Sequence, residues 1–265
     1  MQLKHIVAAT DESDAGRQAA WTALELAAES GARVTLMRVV PFDGIGKPTM
    51  IEHLQRWVES DLPAIDPLPP IHYAVAAGVP GIEIGRFAER VEADLLVLGR
   101  KPRSQLERLL VGDTADAVAR RSRIPCLFVP ARGPAPRRVL VAVDGSERGM
   151  RVLKAAEEFA RQTGATLQVL TVEPVHAGEP IHLARAIPAA RSTRIRSHVQ
   201  GTLGRDVEVR RGEPAEQILA AVLERKPDVV VLGCHRGGPA GMIEAGSTAR
   251  QVTHTAPCAV LTVPL

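Results

Sequence analysis

Aromatic side chains are scarce in this sequence: two Trp, one Tyr and four Phe make up 3% of 265 residues. Proteins that hold single-stranded nucleic acid stack bases on such rings, so no nucleic-acid partner is expected. Cysteine is as sparse. Cys126, Cys234 and Cys258 form neither a disulfide framework nor a metal-ligand spacing, and the eight histidines make no ligand cluster, so no metal site is expected. A GxxxxGK[ST] loop is missing, which argues against rapid ATP hydrolysis. No nucleophile stands at a diagnostic spacing from His235 or His254, so no catalytic residues are assigned. Long apolar runs are missing too. The charge-free stretch after Arg250 contains two prolines and is shorter than the roughly 20 residues that span a bilayer. The opening MQLKHIVAAT meets Asp11 and Glu12 before a secretory core can form. No membrane partner is expected, and the protein reads as cytoplasmic.

Net charge is small, +3, but unevenly spread. Residues 1–132 hold 16 Lys+Arg against 17 Asp+Glu, which leaves 17 against 13, or +4, for the remainder. A basic second half suits an anionic ligand. The arginines at Arg120, Arg121 and Arg123 and at Arg191, Arg194 and Arg196 read as solvated faces.

What is present is a stretch from Asp228 to Ser247, DVVVLGCHRGGPAGMIEAGS. Val229 to Leu232 is too short for a helix and rich in β-branched residues, so it reads as a buried strand ending at Gly233. Gly233, Gly237, Gly238, Gly241 and Gly246 then punctuate a loop, and Ser247 is expected to cap the helix after it. Backbone N–H groups at a helix start bind anions, which makes this a place to hold phosphate. Cys234 falls inside this loop, where a redox role and plain packing are both open; Cys126 and Cys258 read as buried hydrophobes.

The chain contains this pattern twice. Asp94 to Gly112, DLLVLGRKPRSQLERLLVG, repeats the short strand, the Leu-Gly ending and the step from Gly99 to Gly112 that matches Gly233 to Gly246. Asp11 and Asp144, Gly31 and Gly164, and Pro41 and Pro174 are 133 apart; Gly78 and Gly212, Pro80 and Pro214, and Gly99 and Gly233 are 134 apart. So tight a repeat identifies a duplicated domain. The expected boundaries are 1–130 and 138–265, with the proline-rich 131–137 as linker. In the first half, strands at His5–Ala9, Val34–Val40, Ile71–Ala76, Leu95–Leu98 and Cys126–Val129 alternate with helices capped by Ser13, running through Ile51, Leu54, Gln55 and Val58, from Ile82 to Val91, and from about Thr114 to Arg121. That alternation predicts an α/β fold with a parallel sheet covered on both faces.

Each half resembles the universal stress protein domain, whose opening strand ends in Asp-Gly-Ser and whose loop runs G, two residues, G, nine residues, G, then Ser or Thr. VLVAVDGSE, Gly233 to Ser247, and the closing HTAPCAVLTVP carry the resemblance, which covers nearly the whole chain in the family's tandem form. It implies two doubly wound domains, each a five-stranded parallel sheet in the order 3-2-1-4-5 flanked by helices, packed as a pseudo-two-fold dimer through their fifth strands; a homodimer of the whole chain is a further expectation. It also implies a ligand crevice where strands 1 and 4 part company.

Carried over by residue, the resemblance sets Ala142, Val143 and Asp144 against an adenosine, with the Asp144 carboxylate toward the sugar hydroxyls. The backbone of Val172 meets the adenine edge, and Leu232 and Gly233 border the nucleotide. Gly246, Ser247 and Thr248 hold phosphates. Arg236 stands where the pattern has its second glycine, and its guanidinium is a candidate phosphate contact. In the first half Asp11, Val39, Gly99 and Gly112 keep their places, but Pro102 replaces the second glycine and Asp113 the serine. A carboxylate ~4 Å from a phosphate charge opposes it by on the order of 4 kcal/mol at a surface-like dielectric, so this site ranks as the weaker, with Arg100, Lys101 and Arg103 as a partial offset. The expected function is a stress-response regulatory protein binding ATP, with ADP or AMP as alternatives and Mg2+ accompanying ATP, and acting on an unknown protein partner. The alternatives are a nucleotide-independent chaperone-like or interaction module and a slow ATPase.

Overall fold

Among the described residues, ten strands form one continuous sheet, ordered β3-β2-β1-β4-β5-β10-β9-β6-β7-β8. The structure is a computed structural model, and it describes residues 1–41, 46–100, 114–119, 121–174, 192–201, 207–234 and 247–265. The first half supplies β1 (His5–Ala9), α1 (Asp14–Ser30), β2 (Arg33–Val40), α2 (Lys47–Asp61), β3 (Ile71–Ala77), α3 (Pro80–Arg90), β4 (Leu95–Arg100), α4 (Thr114–Ala119) and β5 (Cys126–Pro130). The second supplies β6 (Arg138–Val143), α5 (Glu147–Gln162), β7 (Thr166–Glu173), a helix over 192–201 (α6), β8 (Val207–Arg211), α7 (Pro214–Arg225), β9 (Val229–Cys234), α8 (Ser247–Thr255) and β10 (Ala259–Pro264).

Within each half the pairings are parallel, and the order is 3-2-1-4-5 in the half's own strand count. Parallel strands carry helices on both faces and must be apolar throughout. The sequence obliges: all five residues of β1, HIVAA, are buried. Ser13 and Ser146 cap α1 and α5 by accepting the N–H of Gly16 at 3.3 Å and of Gly149 at 3.0 Å. Gly31 ends α1 in the left-handed region, φ 73°, its N–H returning to the Ala27 carbonyl. α3 starts at Pro80, two residues before the position expected from its apolar pattern, because the proline ring suits a first helical turn that needs no N–H.

The two halves meet where β5 and β10 run antiparallel, with Phe128 opposite Val260, Leu127 opposite Leu261 and Cys126 opposite Thr262. On one face of the sheet the core crosses this seam: Leu24, Leu54 and Trp57 of the first half belong to the same apolar cluster as Phe159, Ile195 and Val199 of the second. On the other face each half keeps its own cluster, Ile84, Leu98, Val118 and Phe128 in one and Leu170, Ile218, Leu232 and Val252 in the other. Fully buried side chains such as Phe128 and Phe159 contribute about 1.5–3 kcal/mol each. Polar bonds also cross. Gln162 Oε1 accepts the N–H of Leu3 at 2.7 Å, and Arg100 Nη2 donates to the carbonyls of Ala256 at 2.6 Å and Cys258 at 3.0 Å.

Candidate functional site

β6 lies between β9 and β7 in the sheet. The helix after β6, α5, packs into the core shared by the halves, whereas α8, after β9, packs on the opposite face. Two neighbouring strands whose chains leave to opposite faces open a crevice at their carboxyl ends. A cavity of ≈ 350 Å³ sits there, within the usual size range of ligand pockets.

The expected residues of the second half converge on it. Ala142, Val143 and Asp144 line it from β6 and the turn after it, Val172 from β7, Leu232 and Gly233 from β9, and Ser247 and Thr248 from the first turn of α8. Ser247 is a residue of α8 itself. Arg236 and Gly246, with His235, Gly237, Gly238 and Gly241, lie outside the described residues. Cys234, expected in the loop, is the last residue of β9; burial pushes its thiol up to about 11, which accords with packing.

Asp144 has a local task as well as a place in the cavity. Its Oδ1 accepts the Ser146 N–H at 3.1 Å and the Ser146 hydroxyl at 2.7 Å, which pins the turn that starts α5. A carboxylate has about four acceptor sites, so these two donors do not exhaust it. Close packing explains Gly149, which also lines the cavity: a Cβ there would lie 2.4 Å from Asp144 Oδ1. Sequence reasoning passed over Gly149, although Gly16 stands 133 residues before it and would meet Asp11 Oδ1 in the same way, at 2.7 Å.

Two further groups close the crevice. Leu265 lines it and presses on Gly233, where a Cβ would lie 2.7 Å from Leu265 Cδ1 and 2.9 Å from Val152 Cγ2. Glu173, the last residue of β7, lines it with Ser192 at the start of α6. The Ser192 hydroxyl donates to Glu173 Oε1 at 2.9 Å and Arg211 Nε to Oε2 at 2.9 Å. Burial raises the Glu173 pKa, but these two hydrogen bonds with the charges of Arg211 and Arg196 outweigh it, and the carboxyl sits below its ordinary value. The resemblance gave no role to either residue.

The first half has a matching cavity of ≈ 360 Å³, lined by Asp11, Val39 and Gly99. Thr114 and Ala115 line it where Thr248 and Ala249 line the other, a correspondence readable from the 134-residue offset. Gly112, Pro102, Asp113, Lys101 and Arg103 lie outside the described residues. Arg100, at the end of β4, donates across the seam to Ala256 and Cys258. β4 is separated from β10 by β5 alone, so the side chain reaches past the end of β5 to the carbonyls after α8, which attract the guanidinium.

The turn residue after the aspartate also differs. Gly145 takes φ 69°, whereas the matching Glu12 takes φ 61° with a side chain. Arg38 and His53 both bind the Glu12 carboxylate, the latter at 3.0 Å, and hold the strained turn in place. At Gly99 a Cβ would come within 2.5 Å of the Ala15 backbone. This glycine therefore lets α1 sit on β4.

The family model described as "Universal stress protein family" matches residues 2–130 and again 136–264. A universal stress protein of Thermus aquaticus is 35% identical over 132 residues, covering 47% of this chain and 96% of its own length. Among solved structures, a putative universal stress protein of Pseudomonas aeruginosa aligns with a TM-score of 0.71 at 17% identity, covering 99% of this chain and 93% of its own. One from Archaeoglobus fulgidus aligns at 0.67 and 20% identity, covering 100% and 99%. At these identities the two structures establish the shared fold.

Proposed function

The chain belongs, in both of its halves, to the universal stress protein family, and on that premise we propose that it binds an adenine nucleotide, ATP in the first instance, in the crevice of the second half. The observation that carries this is the convergence on one ≈ 350 Å³ cavity of apolar walls, a carboxylate and a helix start. Val143, Val172 and Leu232 suit the faces of a base. Asp144 suits the sugar hydroxyls, since a carboxylate accepts hydrogen bonds from both. Ser247 and Thr248, in the first turn of α8, suit phosphate oxygens through backbone N–H groups and hydroxyls. Mg2+ enters with ATP, held chiefly by the phosphates.

In this reading the protein is a cytoplasmic stress-response regulator. Nucleotide occupancy sets a conformation and, with it, a surface for a protein partner. Such a switch requires ATP to bind one arrangement better than another. No described helix is long and apolar enough to cross a membrane.

A nucleotide-independent interaction module is the second reading. The bonds that Asp144 and Asp11 make to Ser146 and Ser13 support it, because helix capping by itself accounts for both aspartates. Calorimetric titration of ATP into the wild type and into Ser247→Asp, beside assay of nucleotide released by acid from fresh protein, separates the two. One-site binding lost in the folded variant supports the nucleotide reading. No heat and no released nucleotide at millimolar ATP would overturn it.

A further inference from the structure

The end of β7 at the second crevice carries a negative charge at a position that is apolar in the first half. Glu173 ends β7 immediately after Val172, and the matching residue in the first half, one after Val39, is Val40. Val40 is buried and apolar. Glu173 is held by partners from two other elements: Ser192 at the start of α6, which also lines the cavity, and Arg211 at the end of β8. A side chain clamped at both oxygens is a preorganised recognition group, because little freedom is left to lose on binding.

We infer that Glu173 is the base-selecting residue of this crevice, choosing a purine that presents an amino group at its 6-position over one that presents a carbonyl there. This rests on the nucleotide reading above and deepens it. An ionised carboxylate only accepts hydrogen bonds. An adenine 6-amino group donates and so finds a partner in whichever oxygen lone pairs Ser192 and Arg211 leave. A hypoxanthine or guanine held in the same pose turns its 6-oxygen to the carboxylate, acceptor against acceptor, and its N1–H meets Glu173 only if the base slides out of that pose. Glutamine at this position has the same shape and can turn either its carbonyl or its NH2 to the base, so it serves both.

The test compares affinities for ATP and ITP, which differ in the base at the 6-position group and N1 protonation, in the wild type, Glu173→Gln and Ser192→Ala, with thermal melting to verify the fold. The wild type is expected to favour ATP at least tenfold. In E173Q the ratio is expected to fall to within about threefold, mainly because ITP binds better. In S192A, which keeps the charge but frees Oε1, it is expected to lie between the two. Equal affinity for ATP and ITP in the wild type, or a ratio unchanged in E173Q, would overturn the role of Glu173 while leaving nucleotide binding intact. Binding of neither nucleotide would overturn both. If E173Q does not fold, S192A decides: a reduced ratio upholds the inference and an unchanged one rejects it.

Discussion

Asp228 reaches across the start of the second half to Arg138: its Oδ2 accepts the Arg138 backbone N–H at 2.9 Å, and its Oδ1 the Arg138 Nη2 at 2.7 Å. The Arg137 N–H also donates to Oδ2, at 3.1 Å. Asp94 does the same in the first half, its Oδ2 accepting the N–H groups of Lys4 and His5 at 2.9 Å each. Both aspartates stand just before the strand that forms one wall of a crevice, and both anchor the beginning of the strand that forms the other.

Removing the Asp228 carboxylate strands two backbone donors at the start of β6. Asp228→Ala is expected to lower stability by about 1–3 kcal/mol, and Asp228→Asn, which keeps an acceptor, by less. Urea unfolding of the three proteins checks the order.

Gly99 and Gly233 occupy matching places but face different obstacles. A methyl group at Gly99 meets the Ala15 backbone at 2.5 Å, which cannot yield without moving α1, whereas at Gly233 it meets the ends of the Leu265 and Val152 side chains. Gly99→Ala is expected to destabilise by roughly 3 kcal/mol or more and Gly233→Ala by about 1 kcal/mol. Thermal melting of the pair tests this, and equal losses would contradict the packing account.

Arg100 supplies charged hydrogen bonds between the halves, to two carbonyls that follow α8. Arg100→Met is expected to cost about 1.5–3 kcal/mol. Arg100→Lys, which keeps the charge and loses the planar fork, is expected to recover part of it. The readout is the urea midpoint, followed by probes placed in each half.

Stability is expected to decline on both sides of neutrality, for separate reasons. Burial lowers the His5 pKa below 6.5, and its neutral ring sits between the Val91 carbonyl and the Thr35 hydroxyl. The unfolded chain therefore takes up the proton first, and this contribution is present above pH 6.5 and lost as pH falls toward the folded value. Burial pushes Cys126 up to about 12 and Cys234 and Cys258 up to about 11, from 9.0. Their contribution is complete below pH 9 and disappears as pH rises through 11 to 12. At pH 8 less than about 1% of each thiol is ionised, so iodoacetamide is expected to label the native protein slowly and the urea-unfolded protein fast.

The fold was legible because the inner strands, such as β1, β4 and β9, are short apolar runs with most residues buried, and because the 133- and 134-residue offsets align the halves. The crevice was legible for a related reason: Asp144, Val172, Gly233 and Thr248 each sit at a strand or helix end that the repeat marks twice. What stayed hidden depends on contacts distant in sequence. Glu173 reads as an ordinary polar strand end until Ser192 and Arg211, 19 and 38 residues away, fold onto it. Nothing in the sequence pattern links Arg100 to the carbonyls 156 and 158 residues later that come alongside it. Periodicity reports the face a residue occupies, but not which residue waits opposite.

The antiparallel seam between β5 and β10 has an evolutionary consequence. In a dimer of identical subunits, every substitution is made twice, so both pockets change together or neither does. Tying the two copies into one polypeptide lifts that constraint. One turn can carry Glu12 while the other carries Gly145, and one second strand can end in Glu173 while the other ends in Val40. Each copy is thereby free to specialise while its sibling keeps the shared architecture intact.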